Sequence, residues 1–147
     1  MSDIRRPPLQ RADFQHFRMI QTRWMDNDLY GHVNNVTYYS YFDTVVNRYL
    51  IGPGGIDIHA GSVIGFVVET MCRFYRPFAY PEDIEAGLRV AKLGSSSVRY
   101  ELALFGAGEE VARADGYFVH VFVERSTQRP ATMPDQLRQA LEALHKP

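Results

Sequence analysis

Asp26, Asn27, Asp28, Gly31, His32, Asn34 and Asn35 crowd one short polar stretch of the chain. A carboxylate can attack a carbonyl or take a proton from water, and an imidazole can move a proton. Amide side chains hold substrates or cap helices. The residues that follow, Val36 to Leu50, are apolar on nearly every side. Tyr38, Tyr41, Phe42, Val45 and Tyr49 recur at helical steps, and Val36, Tyr39, Val46 and Leu50 form a second stripe beside them. A helix of that kind is expected to be buried. At about 15 residues it measures roughly 22 Å, too short to cross a membrane. The acid-rich loop thus feeds a helix N-terminus, where main-chain N–H groups lack intrahelical partners and the positive end of the dipole lies. Chemistry on a carbonyl suits such a place.

The elements that must position this stretch can be read on either side of it. Phe14 to Met25 reads as a first strand, and Gly52-Pro53-Gly54-Gly55 stops the helix. From Val63 the period becomes two, with Ile64, Phe66, Val68, Thr70, Cys72 and Phe74 on one face and Glu69 and Arg73 on the other. Ile84, Ala86, Leu88 and Val90 mark a third strand, and Val98, Tyr100, Leu102 and Leu104 a fourth. After the Gly106-Ala107-Gly108-Glu109 hairpin, Val111 to Val123 forms the last. Leu137, Ala140, Leu141 and Leu144 then give a short amphipathic helix near Pro134. The architecture expected is α+β, an antiparallel sheet curled around one buried helix. A single helix leaves sheet edges uncovered, so pairing with a second copy is expected.

The 147 residues suffice for one domain, taken as 14–147, preceded by a Pro-broken basic arm at 1–13 expected to be flexible. A net charge of −1 supplies no general basic field, so neither nucleic acid nor a membrane surface is an expected partner. The single cysteine, Cys72, cannot form an intrachain disulfide and reads as a small buried hydrophobe. With no signal-peptide pattern or membrane-spanning run visible, a cytoplasmic protein is expected. His32 has no partner at a zinc-binding spacing, and His16, His59, His120 and His145 are scattered, so no metal site is expected.

The run R-W-x-D-x-D-x-x-G-H-V-N-N-x-x-Y-x-x-Y-F-D, from Arg23 to Asp43, resembles the 4-hydroxybenzoyl-CoA thioesterase branch of the hotdog-fold superfamily. Phe74-Tyr75-Arg76-Pro77 to Gly87, Leu93 to Glu101, and Arg129-Pro130 with Met133-Pro134 are similar to later stretches of that family in the same order. The resemblance implies a hotdog fold, a homodimer or homotetramer, active sites at the dimer interface, and hydrolysis of acyl-CoA thioesters without a metal or other cofactor. Coenzyme A would be part of the substrate. It places Asp28 on the family's catalytic carboxylate and the main-chain N–H near Asn35 on its carbonyl-polarising group. The Gly94 to Ser97 turn falls on a segment near the CoA moiety. The chain departs from the family's well-characterised members at His32, Asn34 and Asn35, where those carry apolar or aromatic residues.

Beside that resemblance the residues keep their own alternatives. Asp28 acts as nucleophile or base, or is a loop acid holding turn amides. His32 orients base or water, or ties the loop together. Asn34 and Asn35 cap the helix, with substrate contact secondary, beside Gly31. Ser95, Ser96 and Ser97 donate to pantetheine or phosphate oxygens, or make a turn. Arg76 and Arg99 are candidate phosphate partners. Asp26 and Asp43 read as structural, the latter in need of a partner if buried. Tyr38 and Tyr41 belong to the core or to an acyl-pocket wall. A hotdog hydratase or dehydratase and a non-catalytic acyl-CoA-binding module are the other function classes, separated from a thioesterase by whether free thiol is released.

Overall fold

The structure, a computed structural model, describes residues 6–145. Seven main elements follow one another: β1 (His16–Gln21), α1 (Asn35–Ile51), β2 (Val63–Phe74), β3 (Asp83–Leu93), β4 (Ser97–Gly106), β5 (Ala114–Glu124) and α2 (Asp135–Glu142). The strands form one antiparallel sheet in the order β1-β3-β4-β5-β2, so β1 and β2 are its edges.

Asn34 starts α1: its Oδ1 accepts the Val36 N–H at 3.0 Å, leaving Asn35 as the first helical residue. The helix buries Tyr38, Tyr41, Phe42, Val45, Val46, Tyr49 and Leu50 against Leu88, Leu102, Phe118 and Phe122 of the sheet. Burying a side chain such as Phe42 contributes roughly 1.5–3 kcal/mol relative to exposure. α2 closes one end of this core with Leu137 and Leu141, and the Tyr49 hydroxyl donates to the Ala140 carbonyl at 2.6 Å.

Three expectations are corrected. First, α1 is not buried all round. Val36 is 70% exposed, and Ser40, Asp43, Thr44 and Arg48 also face outward. Asp43 therefore needs no buried counter-ion; its partner is Asn47 one turn on, at 3.0 Å. Second, the alternation of β2 does not run through. A bulge between Val67 and Glu69 adds one residue, so the core-facing set changes from Val63, Gly65 and Val67 to Thr70, Cys72 and Phe74. Ile64 and Phe66 thus lie on the face opposite Thr70, Cys72 and Phe74. Third, the segment before residue 14 is not loose where it is described. Leu9 N–H donates to the Asp115 carboxylate at 2.8 Å, and the Arg11 guanidinium lies 5.2 and 5.1 Å from the Phe17 and Phe105 ring centroids. Together with Phe14 these residues cover the outer face of the sheet around Ala103 and Phe105. Residues 1–5 of the expected arm lie outside the described residues.

His120 of β5 points into the core, 2% exposed, with Nδ1 3.2 Å from the Tyr100 hydroxyl. Burial pushes its pKa down from 6.5 to about 4, so the folded protein holds it neutral. Below pH 6.5 the unfolded chain gains a proton that the folded chain refuses until about pH 4. Stability should therefore be full above pH 6.5 and fall by roughly 3 kcal/mol from this group as the pH drops to 4. Denaturant titrations should show a shallower loss over that window for His120→Phe, although its whole curve sits lower because the Tyr100 hydroxyl loses its partner. Equal slopes would show that His120 does not carry the effect.

Candidate active site

The loop between β1 and α1 is fastened from both ends. Asp26 accepts the Tyr41 hydroxyl at 2.7 Å and the Arg23 N–H at 2.9 Å through Oδ2, and its carbonyl accepts the Asn34 N–H at 2.9 Å. Burial, together with donation to this carboxylate, pushes the Tyr41 pKa far up and keeps the hydroxyl protonated as a donor. The Asn27 side chain accepts the Tyr80 N–H at 3.0 Å, and Val33 N–H donates to Phe78 at 2.8 Å. These bonds clamp the loop to the segment joining β2 and β3. At the tip Gly31 adopts φ +83°, a left-handed conformation that glycine takes without strain. This lets the chain turn so that Asp28 N–H reaches the His32 carbonyl at 2.9 Å.

Asp28 emerges from this turn half-buried. Its Oδ1 accepts the Tyr30 N–H at 2.8 Å, while Oδ2 accepts no hydrogen bond among the described residues. The carboxylate is thus held by the turn and still has an oxygen to use. It lines a cleft of about 530 Å³ with Tyr30, Val33, Asn35, Tyr38 and Phe74, closed by Tyr75, Arg76 and Pro77. In the first turn of α1 the Asn34 side chain occupies the Val36 N–H, and the Asn34 carbonyl takes the Thr37 N–H. That leaves the Asn35 N–H, which has no partner among the described residues and belongs to a residue lining the cleft. The expectation of several free first-turn amides near Asn35 is therefore narrowed to one.

The other expected site residues divide. Arg76 lines the cleft, its guanidinium 3.8 Å from Glu109. Asn34 is used as the helix cap. Gly31 borders a depression on the other side of the loop with Trp24, Asn27, Asp28 and Leu29. His32 is exposed, and its ring makes no hydrogen bond among the described residues. Ser95, Ser96 and Ser97 join β3 to β4 at the end remote from Asp83, roughly 30 Å of strand away from the Asn27–Tyr80 clamp. Within one chain they do not meet Asp28. Arg99 lies on the outer face, its guanidinium 3.8 Å over the Tyr117 ring, and does not reach the cleft either.

The wall opposite the loop rests on residues that no motif singles out. Arg113, 8% exposed, donates to the Pro77 carbonyl at 3.0 Å and to Glu109 at 2.9 and 2.7 Å, meets Glu82 at 2.9 Å, and lies over the Phe78 ring. Beside it Asp115, fully buried, accepts from Arg73 at 3.1 Å and from the Tyr75 hydroxyl at 3.2 Å. The available signal was a charged pair, Arg113 and Asp115, at the start of an otherwise apolar strand. Cys72 lies nearby, but burial and the Asp115 charge push its pKa up to about 12, which suits a core thiol and not a nucleophile.

The described residues thus form a single antiparallel sheet packed around α1, with an acid and a residue bearing an unpartnered helix-start amide lining one cleft. The chain matches the thioesterase-like superfamily over residues 22–141 and belongs to that family; its fold is the hotdog fold. The PA5185 protein of Pseudomonas aeruginosa is similar in sequence and structure: 58% identity and a TM-score of 0.94, over 95% of this chain and 98% of that one. A 1,4-dihydroxy-2-naphthoyl-CoA thioesterase from Synechocystis shares the fold at 16% identity, TM-score 0.76, over 87% of this chain and 96% of its own. Protein YsmA of Bacillus subtilis is 24% identical over 134 residues, 89% of this chain and 88% of YsmA.

Tyr41→Phe should remove the donor to a buried carboxylate while keeping the ring. A stability loss of roughly 1.5–3 kcal/mol is expected in equilibrium denaturation. A change within error of zero would show that the loop does not depend on this bond.

Proposed function

We propose that the protein hydrolyses an acyl-CoA thioester to the free acid and coenzyme A. Family membership supports thioester hydrolysis in general, and one observation carries the finer reading: Asp28 and the unpartnered Asn35 N–H border the same aromatic-walled cleft. Asp28 takes a proton from water as the water attacks the carbonyl carbon, or attacks that carbon itself to give a mixed anhydride that water then opens. In either route the C–S bond breaks, the thiolate leaves and is protonated, and the negative charge formed meanwhile on the carbonyl oxygen faces the Asn35 N–H. A fixed donor of this kind contributes roughly 10²–10³ in rate elsewhere. The acyl group lies against Tyr30, Tyr38 and Phe74, and Arg76 meets an anionic part of the substrate. No metal cofactor is needed for these steps. His32 serves a second subunit, since its exposed ring does not line the cleft and, among the described residues, bonds to nothing in the loop.

The functional unit in this reading is a homodimer joined through β2. This edge strand exposes Phe66, Val67 and Val68 by 36, 48 and 59%, and its Phe74 end is a wall of the cleft. Antiparallel pairing of two β2 strands buries those side chains and sets the Val63 end of one copy beside the cleft of the other. Sedimentation at micromolar concentration should give the dimer mass, and a monomer with full activity would overturn the arrangement. A single buried thiol fits a reducing compartment such as the cytoplasm.

Asp28→Asn keeps the shape and can still accept the Tyr30 N–H, but can neither attack nor take a proton. It should lower kcat for thiol release by orders of magnitude with little change in acyl-CoA affinity or melting temperature. Hydrolysis within a fewfold of the parent would reject Asp28 as the reacting group. Wild-type protein that binds acyl-CoA without releasing thiol would instead favour a binding module or a hydratase.

A further inference from the structure

A further concavity lies at the β1 end of the loop. It is a groove of about 320 Å³ between edge strand β1 and the outward side of α1, bordered by Arg18, Arg23 and Arg48 with Asp26, Tyr41 and Thr44. Arg18 pairs in register with Ala86, a core residue, so its side chain leaves from the helix-facing side of the sheet. It stands one pleat from Ile20, which packs against the core. Arg23 joins at the loop end and Arg48 at the far turn of the helix.

Of the ten other described arginines, five are paired with acids and five are not. Arg11, Arg73, Arg76, Arg89 and Arg113 each meet a carboxylate. Among the described residues, Arg18, Arg23 and Arg48 form no ion pair. Asp26 is the one carboxylate bordering the groove, and its Oδ2 is already engaged by the Tyr41 hydroxyl and the Arg23 N–H. The Arg18 charge is felt locally: after burial, it is the second cause that lowers the pKa of His16, its neighbour on the same face. Three guanidiniums against the single Asp26 carboxylate leave the concavity net positive and focus positive potential there. Guanidinium forks match phosphate oxygens two at a time, and Met19 and Ile20 supply an apolar strip beside them. The volume is of the size that holds a small molecule.

We infer that the groove walled by Arg18, Arg23 and Arg48 is a binding site for a small polyanion carrying phosphoryl groups. This site stands independently of the chemistry assigned to Asp28. Two sources share the ligand chemistry: a free phosphorylated metabolite, or the nucleotide end of a CoA thioester reaching around the loop.

Calorimetric titration of the full chain with inorganic pyrophosphate at low ionic strength tests the inference. Saturable binding is expected, weakened about tenfold or more by Arg18→Gln and by Arg48→Gln, the loss of one charged hydrogen-bonding partner. The melting temperatures of the unliganded variants should match the parent. Absence of binding, or binding that both groove substitutions leave intact, overturns the site. Thiol-release kinetics then separate the sources. Pyrophosphate that competes with acyl-CoA, with KM raised and kcat kept in the groove variants, identifies the substrate's own nucleotide. Binding without competition, with KM unchanged, identifies a separate ligand. Wild-type thiol release without pyrophosphate reports on the proposed hydrolysis alone, so the two readings fail separately.

Discussion

A buried carboxylate, Asp26, joins the loop that carries Asp28 to the helix that offers the Asn35 N–H. Its side chain is held by Tyr41, two turns into α1, and its carbonyl holds the N–H of the cap residue Asn34. The distance between acid and amide is therefore set by one residue reaching in two directions. Such a joint is costly to half-dismantle, because removing a partner leaves a desolvated charge with fewer donors. The second acid of the motif, Asp28, is held only by its own turn, which suits a group that must meet a substrate.

The opposite wall is built on the same principle with other residues. Arg113 ties Pro77, Glu82 and Glu109 together and underlies Phe78, while Asp115 gathers Arg73, Tyr75 and the Leu9 N–H. Glu109 is held below the usual carboxylate range, chiefly by donation from Arg113, and the Arg113 guanidinium is in turn stabilised in its charged form. Apolar packing of α1 on the sheet supplies cohesion, and these two polar knots decide where the cleft walls stand. One face of the sheet is covered by α1, and the other is covered around Ala103 and Phe105 by the Leu9 to Phe17 segment. The edges are β2 beside the cleft and β1 beside the arginine groove.

Sequence pattern made the architecture legible because burial imposes a period. The helix stripe from Tyr38 to Tyr49 and the alternations of β3 and β4 are each produced by one face meeting a core, and each came out as read. The cap at Asn34 and the stop at Gly52 were legible for a local reason, since a helix end must satisfy its own amides and carbonyls within a few residues. The loop motif also announced a site, because acids, amides and glycine crowded into one turn serve no core.

What the sequence left open depends on contacts between residues far apart in the chain. The bulge in β2 is invisible in an unbroken apolar run, because either parity buries hydrophobic side chains equally well; the register against β5 decides it. The placement of Ser95 to Ser97 away from Asp28 follows from the direction of β3, which no local pattern states. Which first-turn amide stays free depended on the Asn34 side chain turning to Val36. By itself the sequence determined the elements, their buried faces and the residues fit for carbonyl chemistry, since these follow from short-range periodicity and residue type. Only the tertiary structure decided which of those residues share a cleft, because that is fixed by the long-range bonds of Asp26, Asn27 and Arg113 across the fold.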